Sequence, residues 1–196
     1  RTRMGQNQTS IKKEKLDDLG NKTHFTQKQL KELNKQFRKE SPSGTISQDE
    51  FNEAMNLMGV VDPFLQNLVF KVFDKSKTGT ITFSDFVNGL SIMTKGTQEE
   101  KLKFAFEMYD LDESGYISKE EMTKILESFY KLIGPSDDNP LATFSGKKYD
   151  APQQLVDEIF EQMDVSGDGK ISLAEYQEGA IKNPDIIQGL KLFSES

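Results

Sequence analysis

An all-α fold of four helix–loop–helix units, joined in pairs to make two lobes, is what this sequence predicts, and three observations predict it. A glycine is followed two residues later by an isoleucine at four places: Gly44/Ile46, Gly79/Ile81, Gly115/Ile117 and Gly169/Ile171. On both sides of these pairs apolar residues recur at i, i+3, i+4, i+7, the period of a helix that buries one face. Between the helices, oxygen-bearing side chains return at fixed offsets. The glycines stand 35, 36 and 54 positions apart, so the fourth unit is set off by an insertion of about 18 residues. That insertion, Gly134 to Asp150, is rich in Pro, Gly, Asp and Ser and reads as a mobile loop.

Taken in order, the first unit begins at Thr26, where Gln29 three residues on completes a capping box and Leu30, Leu33 and Phe37 form the buried stripe. Its outgoing helix carries Phe51, Ala54, Met55 and Met58. The second unit has Val69, Phe70 and Phe73 before its loop and Phe86, Leu90 and Met93 after it. Leu102, Ala105, Phe106 and Tyr109 lead into the third loop, and Met122, Ile125, Leu126 and Phe129 lead out of it. In the fourth, Val156, Ile159, Phe160 and Met163 precede the loop; a short helix from Tyr176 follows and stops at Asn183-Pro184. A lone unit leaves its apolar face open to water, so the isoleucines are expected to pair across short antiparallel contacts, Ile46 with Ile81 and Ile117 with Ile171. The resulting organisation is an N-terminal segment (1–23), a first pair (24–95), a second pair (96–183) with a hinge near Gly96, and an apolar C-terminal tail (184–196).

Composition excludes several functions. With 25 basic and 32 acidic side chains in 196 residues, the chain has a net charge of −7 and no excess of cations with which to neutralise phosphates, so nucleic acid is not an expected partner. There is no Cys and a single His, His24, which rules out disulfides, thiolate metal sites and cysteine nucleophiles. Neither a G-x-S-x-G elbow nor a phosphate-cradling glycine loop occurs, and an enzyme is not expected. No stretch approaches the ~18 apolar residues of a membrane span, and the N-terminus lacks a signal-peptide core, so the expected location is cytoplasmic.

The loops carry the chemistry. The third reads Asp110, Asp112, Ser114, Gly115, Tyr116, Ile117, Ser118, Glu121, an EF-hand calcium loop of twelve residues. A hard cation needs six to eight oxygens: carboxylates at positions 1 and 3, a hydroxyl at 5, a backbone carbonyl at 7 (Tyr116) and a bidentate Glu at 12. The fourth loop meets the same requirement with Asp164, Ser166, Asp168, the Lys170 carbonyl and Glu175. Two Ca²⁺ sites are therefore expected. The second loop keeps the frame with Asp74, Ser76, Thr78, Thr80 and Asp85, but its position 12 is one methylene shorter, leaving open a weak Ca²⁺ or Mg²⁺ site or an empty loop. The first loop, taken to start at Lys39 and containing Pro42, puts a cation where an anion is needed; it is expected to be empty and about one residue longer than the consensus.

Several runs resemble the neuronal calcium sensor family, frequenin and recoverin among its members. They are Lys39-Glu40-Ser41-Pro42-Ser43-Gly44 in the disabled first loop, Gly96-Thr97 ahead of Glu100-Lys101-Leu102, Tyr109-Asp110-Leu111-Asp112, and Glu175 to Gly179 followed by Asn183-Pro184. The Lys101-Leu102-x-Phe104-Ala105-Phe106 run is also similar to calcineurin B, the regulatory subunit of a phosphatase, which usually has ligands in all four loops. The resemblance implies N-myristoylation at Gly5, within the Met4-Gly5-x-x-x-Thr9 motif, once Arg1 to Met4 are removed and the glycine is exposed. One such chain anchors only marginally, and Lys12, Lys13 and Lys15 would add attraction to an anionic membrane surface.

The function implied is that of a calcium sensor and adaptor. Closure of Glu121 and Glu175 on the ion swings the outgoing helices and exposes an apolar groove, whereas a passive buffer would barely open. By the resemblance the groove runs over the first lobe, with Leu33, Phe37, Phe51, Met55, Met58, Phe86 and Leu90 gripping an apolar helix of a channel, kinase or receptor. The tail residues Ile186, Ile187, Leu190, Leu192 and Phe193 are expected to pack over part of it.

Overall fold

The computed structural model describes residues 12–133, 143–144 and 147–183. The first half runs α1 (Lys13–Lys22), α2 (Gln27–Glu40), β1 (Thr45–Ser47), α3 (Gln48–Leu57), α4 (Pro63–Phe73), β2 (Thr80–Thr82) and α5 (Phe83–Lys95). The second half runs α6 (Gln98–Tyr109), β3 (Tyr116–Ser118), α7 (Lys119–Ile133), β4 (Thr143–Phe144), β5 (Lys147–Lys148), α8 (Pro152–Met163), β6 (Lys170–Ser172) and α9 (Leu173–Lys182). Most helices start where the sequence supplies an oxygen to take up free backbone N–H groups; α1, after Lys12, and α8, after Ala151, start without a side-chain cap. Thr26, Ser47, Thr82, Thr97 and Ser172 each form a reciprocal capping box with the residue three positions on. Asp62 caps α4 ahead of Pro63, whose missing N–H costs nothing at the first helical position. Among the described residues no helix is long and apolar enough to cross a membrane.

The loops pair in the expected register. β1 and β2 are antiparallel with Ile46 opposite Ile81, and β3 and β6 with Ile117 opposite Ile171. Ile81, Ile117 and Ile171 are fully enclosed. Two local expectations are corrected. Where a mobile loop was expected within Gly134–Asp150, β4 and β5 make a short antiparallel ladder, with Thr143 opposite Lys148; much of the insertion lies outside the described residues. And α9 begins at Leu173, not Tyr176, because Ser172 caps it.

Among the described residues three apolar clusters form the core. In the second lobe Phe106, Met122, Leu126, Val156, Phe160, Met163 and Tyr176 surround the β3–β6 pair. The first-lobe cluster joins Leu30, Phe37, Phe83 and Val87 to Leu16 and Leu19 of α1. Residues 13–22, read from sequence as part of an N-terminal segment outside the pair, are thus a helix seated on its core. The third cluster spans the halves: Leu65, Leu68 and Val72 of α4 pack against Met108 of α6 and Ile125 and Phe129 of α7. Gly96, between α5 and α6, is extended; a Cβ there would lie 2.4 Å from the Ile92 carbonyl oxygen, so this junction accepts only glycine without rearrangement.

Candidate functional site

In the second, third and fourth loops the incoming helix ends on the position-1 aspartate. Asp74, Asp110 and Asp164 are C-caps whose N–H groups donate to the carbonyls of Phe70, Phe106 and Phe160. Each carboxylate then gathers the N–H groups of its own loop. Asp110 accepts from Ser114 N–H at 2.9 Å and Gly115 N–H at 2.8 Å; Asp164 accepts from Gly167 and Gly169, both at 2.8 Å; Asp74 accepts from Thr78 at 3.0 Å and Gly79 at 2.7 Å. This wrap requires left-handed backbone, as at Gly115 (φ 85°). Position 4 is left-handed too, and there Lys77 and Glu113 bear the strain that Gly167 avoids.

The last ligand position has two tasks. In the third loop Glu121 is the third residue of α7, and its Oε2 accepts from the Ser118 N–H at 2.8 Å and hydroxyl at 2.7 Å. Its Oε1 reaches across the loop to the N–H groups of Leu111 (2.9 Å) and Asp112 (3.2 Å). One side chain therefore caps the outgoing helix and closes the loop. Oxygens of Asp110, Asp112 and Glu121 all lie within 4.8 Å of one another, which suits a hard divalent cation. The Ser114 hydroxyl, 3.3 Å from the Tyr116 carbonyl, completes the oxygen set predicted from sequence.

Glu175 repeats the device in the fourth loop. Its Oε2 accepts from Ser172 N–H (2.9 Å) and hydroxyl (2.7 Å), and its Oε1 from Ser166 N–H (3.0 Å). The N–H of Ser172 first, then that of Ser166, holds its pKa down at about 2. Asp168 instead turns an oxygen to the N–H of Lys170 at 2.9 Å, and Asp164, Asp168 and Glu175 are not drawn together as the third loop's trio is. The second loop closes otherwise. An Asp85 oxygen accepts from the Thr82 N–H at 3.0 Å, the Thr82 hydroxyl at 2.6 Å and the Ser76 hydroxyl at 2.9 Å, while Thr78 donates its hydroxyl to the Thr80 carbonyl at 3.0 Å.

The first loop departs from its predicted form. Helix α2 continues through Glu40, so Lys39 is helical, and the C-cap is Ser41. From that cap to the paired isoleucine, Ile46, is five positions, where it is seven from Asp74 to Ile81 and from Asp110 to Ile117. The loop is shorter than the others, not longer. Without the acidic cap, no carboxylate of the loop gathers its N–H groups; the Ser41 carbonyl accepts from Gly44 N–H at 2.9 Å and the Ser43 hydroxyl from Thr45 N–H at 3.4 Å instead.

The groove residues divide. Phe37 and Met55 are buried; Leu33, Phe51, Phe86 and Leu90 are partly buried; only Met58 is well exposed, at 69%. Phe37 packs on Phe83 and Phe86 within the cluster that includes Leu16 and Leu19 of α1, so α1 covers part of the expected groove. Lys13 and Lys15 are exposed on α1; Gly5 and the tail 184–196 lie outside the described residues. Sequence reasoning missed the contacts joining the second and third loops. Lys75 pairs with Glu107 and Lys77 with Glu113, Lys71 lies 3.3 Å from Glu113, and its ammonium donates to the Leu111 carbonyl at 2.6 Å. It also missed the double use of Glu121 and Glu175, although the Ser-x-x-Glu spacing at 118–121 and 172–175 is the capping-box signal.

Two pairs of helix–loop–helix units with oxygen-lined loops define an EF-hand protein. Residues 99–181 match the family model of the EF-hand domain pair, and residues 21–116 match that of the USP32 N-terminal domain. The chain is 55% identical to calcium-binding protein NCSA of Dictyostelium discoideum over 192 residues, covering 98% of this chain and all of that protein. It is 37% identical to neuronal calcium sensor 1 of Lymnaea stagnalis over 191 residues, covering 96% of this chain and 97% of the relative. The chain belongs to the neuronal calcium sensor family: it is a calcium-binding EF-hand protein and not an enzyme.

Proposed function

We propose that this protein binds Ca²⁺ in its third and fourth loops and converts occupancy into exposure of an apolar surface that grips a helix of a target protein. The observation that carries the reading is the placement of Glu121, which at once caps α7 and reaches back to positions 2 and 3 of its loop. A cation that draws Glu121 onto itself must move the first turn of α7, and with it Ile125 and Phe129 on α4. In the third site Asp110, Asp112, Ser114, Glu121 and the Tyr116 carbonyl hold the ion; in the fourth Asp164, Ser166, Asp168, Glu175 and the Lys170 carbonyl do. The second loop, whose hydroxyls and carboxylates already satisfy one another, stays empty of Ca²⁺ at signalling concentrations.

The target surface on the first lobe is bounded by Leu33, Phe51, Met58, Phe86 and Leu90, with α1 lying over its Phe37 side. The family resemblance supports a myristoyl group on Gly5 as a membrane anchor and the apolar tail as a second cover. Fluorescence of an apolar-surface dye, followed while Ca²⁺ is titrated into metal-free protein at millimolar Mg²⁺, tests the reading. A saturable rise at roughly 10⁻⁷–10⁻⁵ M free Ca²⁺ supports a sensor. Full Ca²⁺ binding with no rise makes the protein a buffer, or a subunit whose groove is permanently filled.

A further inference from the structure

Two lysines of the first half grip the third loop on either side of one of its metal ligands. The Lys71 ammonium, near the end of α4, donates to the Leu111 carbonyl at 2.6 Å and lies 3.3 Å from Glu113. Lys77, at position 4 of the second loop, pairs with the same Glu113. Leu111 and Glu113 are positions 2 and 4 of the third loop, and Asp112 between them is its position-3 carboxylate. Leu111 is held at both backbone groups, since its N–H donates to Glu121 at 2.9 Å. Glu113 has a left-handed backbone (φ 59°), which a residue with a Cβ adopts only at a cost, and both ammonium groups meet on its carboxylate.

The fourth loop supplies the contrast. Its positions 2 and 4 are Val165, which is 74% exposed, and Gly167, which has no side chain to be held. There the acidic side chains are not drawn together, whereas oxygens of Asp110, Asp112 and Glu121 lie within 4.8 Å of one another. Three carboxylates so close repel one another, and anchors on residues 111 and 113 oppose the spreading of the loop.

The geometry points to Lys71 and Lys77 as positioning residues for the third calcium site: through Leu111 and Glu113 they hold Asp112 where it can meet Asp110 and Glu121 on the ion. The inference rests on the third-site reading proposed above and gives the second loop a task in its neighbour's binding. The rival account is a plain electrostatic field. Two cations beside a site for Ca²⁺ repel the ion, so by the field alone their removal would tighten binding. Positioning has the opposite sign, because a loop free to spread must be ordered again when the ion binds.

The test is Ca²⁺ titration calorimetry on the full 196-residue chain carrying Glu175→Gln, which weakens the fourth site and leaves the third to be read. In that background Lys71→Met/Lys77→Met should lower the affinity of the third site at least about fivefold. Lys75→Met removes the cation that pairs with Glu107 in the same cleft, a similar charge that does not hold the loop, and should change the affinity less than about twofold. Once Glu113→Gln is present, adding Lys77→Met should have little further effect, since both act on one contact. In the mirror background, Glu121→Gln, the Lys71→Met/Lys77→Met pair should leave the fourth site within about twofold, which a general loosening of the fold would not. Helical circular dichroism of the metal-free variants shows that they fold. An unchanged or tighter third site in the Lys71/Lys77 variant overturns the inference, as do equal losses at both sites or an equal loss with Lys75→Met. Failure of the Glu175→Gln parent to bind any Ca²⁺ overturns the third-site reading itself, and the inference falls with it.

Discussion

The Ser76 hydroxyl donates to an Asp85 carboxylate oxygen at 2.9 Å, so positions 3 and 12 of the second loop touch each other directly. In the third loop the same two positions are Asp112 and Glu121, two anions that cannot satisfy one another without a cation between them. A hydroxyl facing a carboxylate is stable without one. Ser76→Asp combined with Asp85→Glu should therefore create a metal requirement, and titration calorimetry should count one more Ca²⁺ per chain than in the wild type. An unchanged count would show that the second loop is disabled by something other than these two residues.

Glu121→Gln separates capping from ligation. A glutamine retains the length and the acceptor that cap α7 at Ser118, but supplies no anionic pair of oxygens. The Ca²⁺ affinity of one site should fall at least about tenfold, with the thermal midpoint of the metal-free protein nearly unchanged. A large drop in that midpoint would mean that the charge of Glu121 serves the fold.

The acid limb of stability should carry the signature of Glu175. Its folded pKa of about 2 lies below the ordinary 4.5, so between these values the unfolded chain binds more protons than the folded one. The contribution is whole above pH 4.5 and is lost as the pH falls toward 2. Denaturant titrations of metal-free protein across that window should show a steeper decline for the wild type than for Glu175→Gln; parallel curves would refute the assignment.

Gly96→Ala should destabilise the protein even though the residue is at neither metal site. The added methyl would lie 2.4 Å from the Ile92 carbonyl, a backbone atom that cannot swing aside, and the cost should be on the order of 1–3 kcal/mol. A urea midpoint equal to that of the wild type would show that the α5–α6 junction yields freely.

Much of this architecture was legible because it repeats. The pairing of Ile46 with Ile81 and Ile117 with Ile171 follows from four copies of one spacing, and a helical stripe such as Val156, Ile159, Phe160, Met163 needs no partner in order to be recognised. What stayed hidden is what occurs once. Helix α1 offers only Leu16 and Leu19 among charges, too few to announce a period, and it forms because Leu30 and Phe37 give those leucines somewhere to pack. The shortened first loop was misread because glycine and isoleucine fix one end of a loop, whereas its start depends on which residue caps the incoming helix. The Lys77–Glu113 contact joins position 4 of two loops, a position with no ligand role, and only the tertiary packing brings them together.

The cluster shared by α4, α6 and α7 makes the two halves unequal to life apart. Cut at Gly96, the first would bare Leu65, Leu68 and Val72 and the second Met108, Ile125 and Phe129, each a strip that water disfavours and a second copy would readily cover. Fragments made to study one pair of loops should therefore self-associate, and metal affinities measured on them would belong to the aggregate, not to this chain.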